Sequence, residues 1–171
     1  MRGSSVNDQQ LMEVITQRRS VRKYKTEPFP MEELIKLIEA ARWAPSAGNS
    51  QPWKFLLVND EDMVSGLKSV SPGWLKAAPA LIVICINKNR ETDWSKMDVG
   101  AAMQNILLYA HSRGVGCCPI GSFAVETVKE LLNIPPNLEP VLLITVGCPD
   151  EKPAVIKRLS VDELIFKKVG K

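Results

Sequence analysis

The stretch DVGAAMQNILLYAHSRGVG, Asp98 to Gly116, carries the strongest helical pattern in the chain. Val99, Ala102, Met103, Ile106, Leu107 and Ala110 recur at helical spacing and form a broad apolar stripe over Asp98 to Arg113. Gly114 is placed to end the helix in a left-handed conformation. A helix this apolar reads as buried nearly all round, at the centre of the protein or of a dimer. The segments on either side of it decide the fold class. Upstream, ALIVICIN (Ala80 to Asn87) is a continuous apolar run of the kind found in a buried central strand, and WKFLLV (Trp53 to Val58) reads as a second strand. Downstream, Cys117 to Ile120 and PVLLITVG (Pro140 to Gly147) supply two more.

Further helices are predicted from Asn7 to Arg18, from Met31 to Trp43 with Pro45 stopping it, from about Asp60 to Val70, and from about Val125 to Asn133 with Ser122 near its cap. Cys148 to Pro153 holds two prolines and is irregular. The tail beyond it carries Val161, Leu164 and Ile165, enough apolar surface to dock on something. Strands alternating with helices predict a layered α/β or α+β domain, and element order does not separate the two.

A chain of 171 residues that is 45% hydrophobic builds one compact domain over residues 1–171, with no internal repeat or linker. The net charge of +3, from 22 basic and 19 acidic residues, is too balanced to point to nucleic acid, so any basic patch is local. No stretch is long and apolar enough to cross a membrane, and Met1 to Ser5 lacks the apolar core of a signal peptide, so a cytoplasmic protein is expected. Cys85, Cys117, Cys118 and Cys148 read as reduced core cysteines. With no CxxC and only His111, no metal site is expected. The neighbours Cys117 and Cys118 point to opposite faces if they lie on a strand.

Chemistry is carried by two motifs. RRSVR, Arg18 to Arg22, offers three guanidiniums and a hydroxyl within five residues, a donor set that matches phosphate oxygens. A solvated helix end explains that charge about as well. APSAGNSQPW, Ala44 to Trp53, supplies a turn of amides and hydroxyls pinned by prolines, with Asn49 and Gln51 able to engage a heterocycle and Gly48 admitting close backbone approach. Nucleophilic catalysis lacks a histidine outside the long helix. Gly114-Val115-Gly116 fails as a dinucleotide fingerprint at its third glycine, and Glu32-Glu33 and Asp60-Glu61-Asp62 are acidic starts of helices. No catalytic acid or base is nominated.

RRSVRKY (Arg18 to Tyr24), APSAGNSQPWKF (Ala44 to Phe55), the Asp98 to Gly116 helix, CPIGSF (Cys118 to Phe123) and TVGCPDEKP (Thr145 to Pro153) occur in the order seen in the nitroreductase family of FMN-dependent oxidoreductases, which the chain resembles over most of its length. The resemblance implies a three-layer α+β fold, a central mixed β-sheet flanked by helices, in an intertwined homodimer with FMN at the interface. It assigns Arg18, Arg19, Ser20 and Arg22 to the FMN phosphate and ribityl chain. It brings Pro45, Ser46, Asn49 and Gln51 from the other subunit, lays Pro119, Ile120, Gly121 and Ser122 along the ring, and adds Arg158 and Lys157 to the phosphate site.

It further implies hydride transfer from NADH or NADPH through the flavin to a small acceptor such as a nitroaromatic, quinone or activated alkene, with no nucleic acid or membrane partner. A non-catalytic FMN-binding or storage protein, and an offshoot specialised for flavin fragmentation or reductive dehalogenation, are the alternatives. Two features depart from the family pattern: Pro119 stands where many relatives carry tryptophan, and Lys88 to Lys96 is short where many carry a longer insertion, which leaves the mouth of the site open.

Overall fold

The computed structural model describes residues 7–67, 70–71 and 78–170. Met1 to Ser5 and the end of the predicted Asp60 to Val70 helix, residues 68–69, lie outside them. Four strands form one sheet: β1 (Trp53–Val58), β2 (Ala80–Asn87), β3 (Gly116–Ile120) and β4 (Leu138–Gly147), in the order β1-β2-β4-β3. Every pair is antiparallel. The expected mixed sheet is thus corrected for these strands, because β4 inserts between β2 and β3 and keeps those two parallel strands from pairing. Among the described residues parallel pairing is confined to an isolated bridge between Ser20 and Cys117.

Among the described residues the α-helices are α1 (Asp8–Gln17), α2 (Met31–Ala41), α3 (Glu61–Leu67), α4 (Ser95–Ser112), α5 (Val125–Leu131) and, on the exposed tail, α6 (Val161–Leu164). The layering follows from the two-residue period of β2. Ala80, Ile82, Ile84 and Ile86 pack with Leu34 and Leu37 of α2 and with Ala102, Ile106 and Ala110 of α4. Leu81, Val83 and Cys85 turn the other way, onto Val64 and Leu67 of α3 and Val128 of α5. Both faces of β2 are covered, which accounts for its unbroken apolar sequence. Helices, sheet and helices make three layers, as expected of this α+β chain.

Asn7 caps α1 by accepting from the Gln9 amide at 3.0 Å, and Gly114 closes α4 with φ 73°. Within this chain α4 buries Val99, Ala102, Ile106, Leu107 and Ala110 and leaves Met97 68% exposed. Two expectations need correction. Ser122 does not cap α5, whose cap position is Ala124; the Ser122 carbonyl instead accepts from Ser71 Oγ. Cys148 is exposed, just past the end of β4, while the other three cysteines are buried. The tail, expected to dock on something, is left exposed within this chain, with Val155 79% and Phe166 fully exposed.

Candidate functional site

The arginine motif leaves α1 and runs along the sheet edge. Ser20 bridges Cys117, and the Val21 amide donates to the Cys117 carbonyl at 3.0 Å. A short antiparallel pairing with the segment after β4 follows: Lys25 N–H donates to the Cys148 carbonyl at 2.9 Å, and Asp150 N–H to the Lys23 carbonyl at 3.0 Å. Two glycines make room for this segment. Gly116 and Gly147 face each other across β3 and β4. A Cβ on Gly116 would meet Val21 Cγ1 at 3.0 Å, and one on Gly147 would meet Pro79 Cγ at 2.6 Å and Tyr24 Cδ1 at 3.0 Å. The buried Tyr24 hydroxyl bonds Thr145 Oγ1 at 2.7 Å, and burial pushes its pKa up.

Beside this segment lies a cavity of about 440 Å³, lined among others by Arg18, Arg19, Leu107, His111, Glu151 and Lys152. That is the size range of small-molecule sites. The two arginines differ. Arg19 Nη1 donates to the carbonyls of Thr16 at 2.7 Å and Arg18 at 2.8 Å, so its guanidinium finishes α1. Arg18 has no side-chain hydrogen bond or ion pair among the described residues. Its charge is nonetheless felt nearby: burial first, then Arg18 and Arg19, hold the His111 pKa below the ordinary 6.5. Burial raises the Cys117 thiol to about 12, and the neighbouring Cys118 adds to that shift. Both cysteines are buried. Arg22 is exposed, and its backbone amide and that of Lys23 both donate to Glu151 Oε1.

The amide turn is built apart from this cavity and shares no lining residue with it. Gly48, Asn49 and Gln51 all have positive φ, at 56°, 55° and 47°. Ser46 Oγ accepts from the Gln51 amide at 3.0 Å, and Gln51 Nε2 reaches Asn49 Oδ1 at 3.2 Å. Pro45 is exposed, and Gln51 borders a separate groove with Trp53 and Arg90. Asp98, in the first turn of α4, anchors the turn by accepting from the Ala47 amide.

The third predicted group is split by the strand pleat. Pro119 is half-buried, Ile120 puts its side chain into the core against α5, and Gly121 is exposed and borders a third groove with Lys96, Gly100 and Phe123. Lys157 and Arg158 sit on the exposed tail and do not line the arginine cavity. A single chain therefore brings Arg18 and Arg19 together with the unpredicted His111, Glu151 and Lys152, and leaves the turn and the tail cations elsewhere. Glu151 was hidden in a stretch read as irregular; its carboxylate two residues after Pro149 was the available signal. Among the described residues no cluster of His, Cys, Asp and Glu is placed to hold a metal, and no helix is long and apolar enough to cross a membrane.

The arrangement fits a phosphorylated cofactor in one respect that the structure itself displays, an unengaged guanidinium lining a ligand-sized cavity. The model of the nitroreductase family matches residues 15–72 and 66–148. A protein from Methanothermobacter thermautotrophicus, provisionally named NADH dehydrogenase/NAD(P)H nitroreductase, is 33% identical, with 95% of this chain and 90% of that protein covered. Iodotyrosine deiodinase of Thermotoga neapolitana is 28% identical over 82% of this chain and 89% of its own length. The crystal structure of the NADPH:FMN oxidoreductase of Vibrio harveyi complexed with NAD+ superposes with a TM-score of 0.83 at 26% identity, covering 94% of this chain and 78% of that one. With most of its length matched by the family model and a 33% identical relative covered almost end to end, the chain belongs to the nitroreductase family.

Proposed function

We propose that the protein is an FMN-dependent oxidoreductase that carries hydride from NADH or NADPH to a small acceptor such as a nitroaromatic, quinone or activated alkene, working as a homodimer. The observation that carries this reading is Arg18, a guanidinium without a hydrogen-bond or ion-pair partner among the described residues, lining a ligand-sized cavity with Arg19 and Lys152. FMN held there would supply the hydride-transfer chemistry that links the nicotinamide to the acceptor.

The chain's own residues bind and orient. Arg18, Ser20 and Arg22 hold the phosphate and ribityl end through charge-assisted contacts beside Arg19, whose guanidinium closes α1, and Lys157 and Arg158, which lie outside this cavity within one chain, add to them. The backbone from Pro119 to Ser122 lies along the ring, where N–H groups stabilise negative charge. Pro45, Ser46, Asn49 and Gln51 serve the site of the partner subunit. Their separation from the arginine cavity within one chain supports that division of labour, and the uncovered apolar tail supports a dimer. Acid and base roles need no side chain here.

Purified protein is expected to be yellow, or to become so on adding FMN, and to reduce its flavin rapidly when mixed anaerobically with NADH or NADPH in a stopped-flow instrument. Protein that takes up no FMN would sink the cofactor assignment. Bound flavin that neither nucleotide reduces would favour a storage role. Similarity to an iodotyrosine deiodinase supports a second reading, reductive dehalogenation. An acceptor panel containing both nitroaromatics and halophenols separates the two.

A further inference from the structure

We infer that Glu151 is a positioning residue for the arginine loop, and through it for the phosphate end of the cofactor. The inference rests on the FMN reading above. The loop has two backbone anchors. On one side Ser20 and Val21 are held by Cys117 of β3; on the other Lys23, Tyr24 and Lys25 pair with Cys148, Pro149 and Asp150. Arg22 and Lys23 lie between these anchors, in a stretch with neither turn nor bend. There a side chain completes the pairing: Glu151 Oε1 accepts from Arg22 N–H at 2.6 Å and from Lys23 N–H at 3.1 Å. Glu151 follows directly on the paired segment, so its carboxylate extends the ribbon by one step.

A carboxylate bordering a cavity meant for an anion needs an explanation. Glu151 lines the same cavity as Arg18, Arg19 and Lys152, yet forms no ion pair with any of them among the described residues. Its charge is directed at two backbone amides, the kind of charge-assisted bond that fixes geometry most firmly. What it fixes is the backbone from which the Arg22 side chain departs, two residues past the Ser20 bridge that follows Arg18 and Arg19. A residue acting in this way moves the affinity for a phosphorylated ligand and leaves the affinity for the same ring without phosphate alone.

The test titrates apo protein with FMN and with riboflavin, following flavin fluorescence. Glu151→Ala is expected to weaken FMN binding by roughly tenfold or more, the order for a lost hydrogen bond to a charged group, with riboflavin affinity unchanged. Glu151→Gln, which keeps an accepting oxygen, is expected to restore FMN affinity to within about threefold. If Glu151→Ala does not fold, Glu151→Asp, too short to reach both amides, is read in its place. An FMN-to-riboflavin affinity ratio equal to that of the wild type would overturn the inference and leave the cofactor assignment standing. Wild-type protein that binds neither flavin would overturn both.

Discussion

Asp98 Oδ1 accepts the amide of Ala47 at 3.2 Å, a bond that ties the first turn of α4 to the amide turn fifty-one residues earlier. Asp98 is 7% exposed, and its second oxygen, Oδ2, is buried with no partner among the described residues. The bond stands at a position where acidic residues are also favoured by the helix dipole, so it acts on both elements at once. Removing it frees a turn in which Gly48, Asn49 and Gln51 already occupy left-handed backbone. Asp98→Ala is expected to cost about 1–3 kcal/mol in urea unfolding, the usual penalty for orphaning a buried donor. Asp98→Asn, which keeps the accepting oxygen, is expected to cost less. Equal losses for the two variants would count against the anchoring role.

Arg18 and Arg19 are neighbours with different work. Arg19 is committed to two carbonyls at the end of α1, so Arg19→Ala is expected to cost roughly 0.5–1.5 kcal/mol of stability, the net worth of an ordinary hydrogen bond. Arg18→Ala leaves those bonds intact and is expected to raise the FMN dissociation constant by about tenfold or more, since a charge-assisted contact to phosphate is lost. Parallel melting and flavin-binding curves for the two variants check the division. Identical profiles would remove the reason for separating them.

Strands and helices were legible wherever period and burial agreed. β1 and β2 appear at the residues their apolar runs predict, because a strand covered on both faces, or packed on one, leaves a continuous or alternating apolar record. The antiparallel order was not legible, since insertion of β4 between β2 and β3 depends on contacts far apart in the chain. The same holds for the site. RRSVR announces its charge, but nothing local tells Arg18 from Arg19. Glu151 contacts residues 128 and 129 positions away, a distance no spacing rule covers. Cys148 looked like core because it follows an apolar strand; it falls one residue past the end of β4.

Gly147 is an exacting position in the frame beneath the arginine loop. An added Cβ would sit 2.6 Å from Pro79 Cγ and 2.7 Å from its Cδ, closer than a real methyl tolerates, and Tyr24 blocks the third direction at 3.0 Å. Gly147→Ala is expected to cost about 1–3 kcal/mol, the range for overpacking a rigid core. Gly66, around which a Cβ meets nothing within 4 Å, is the control; in the last turn of α3 its change to alanine should be neutral or stabilising by up to about 1 kcal/mol. Urea midpoints of the two variants decide the matter, and a Gly147→Ala midpoint matching the wild type would show that Pro79 can yield.

His111 gives a direct readout of the cavity, because it is the only histidine in the chain. Burial and the charges of Arg18 and Arg19 hold its pKa below 6.5 in the folded protein. Above 6.5 the ring is neutral in both folded and unfolded states, and its contribution to stability is complete. As pH falls below 6.5 the unfolded chain takes up the proton first, so stability declines until the lower folded pKa is passed. An anion lodged against Arg18 and Arg19 offsets their field, and the His111 pKa should then rise toward 6.5. The single imidazole Cε1–H resonance, followed by NMR against pH, is expected to show a midpoint below 6.5 in the free protein, higher in Arg18→Ala, and higher again on adding FMN. A midpoint that ignores FMN would place the phosphate away from this cavity.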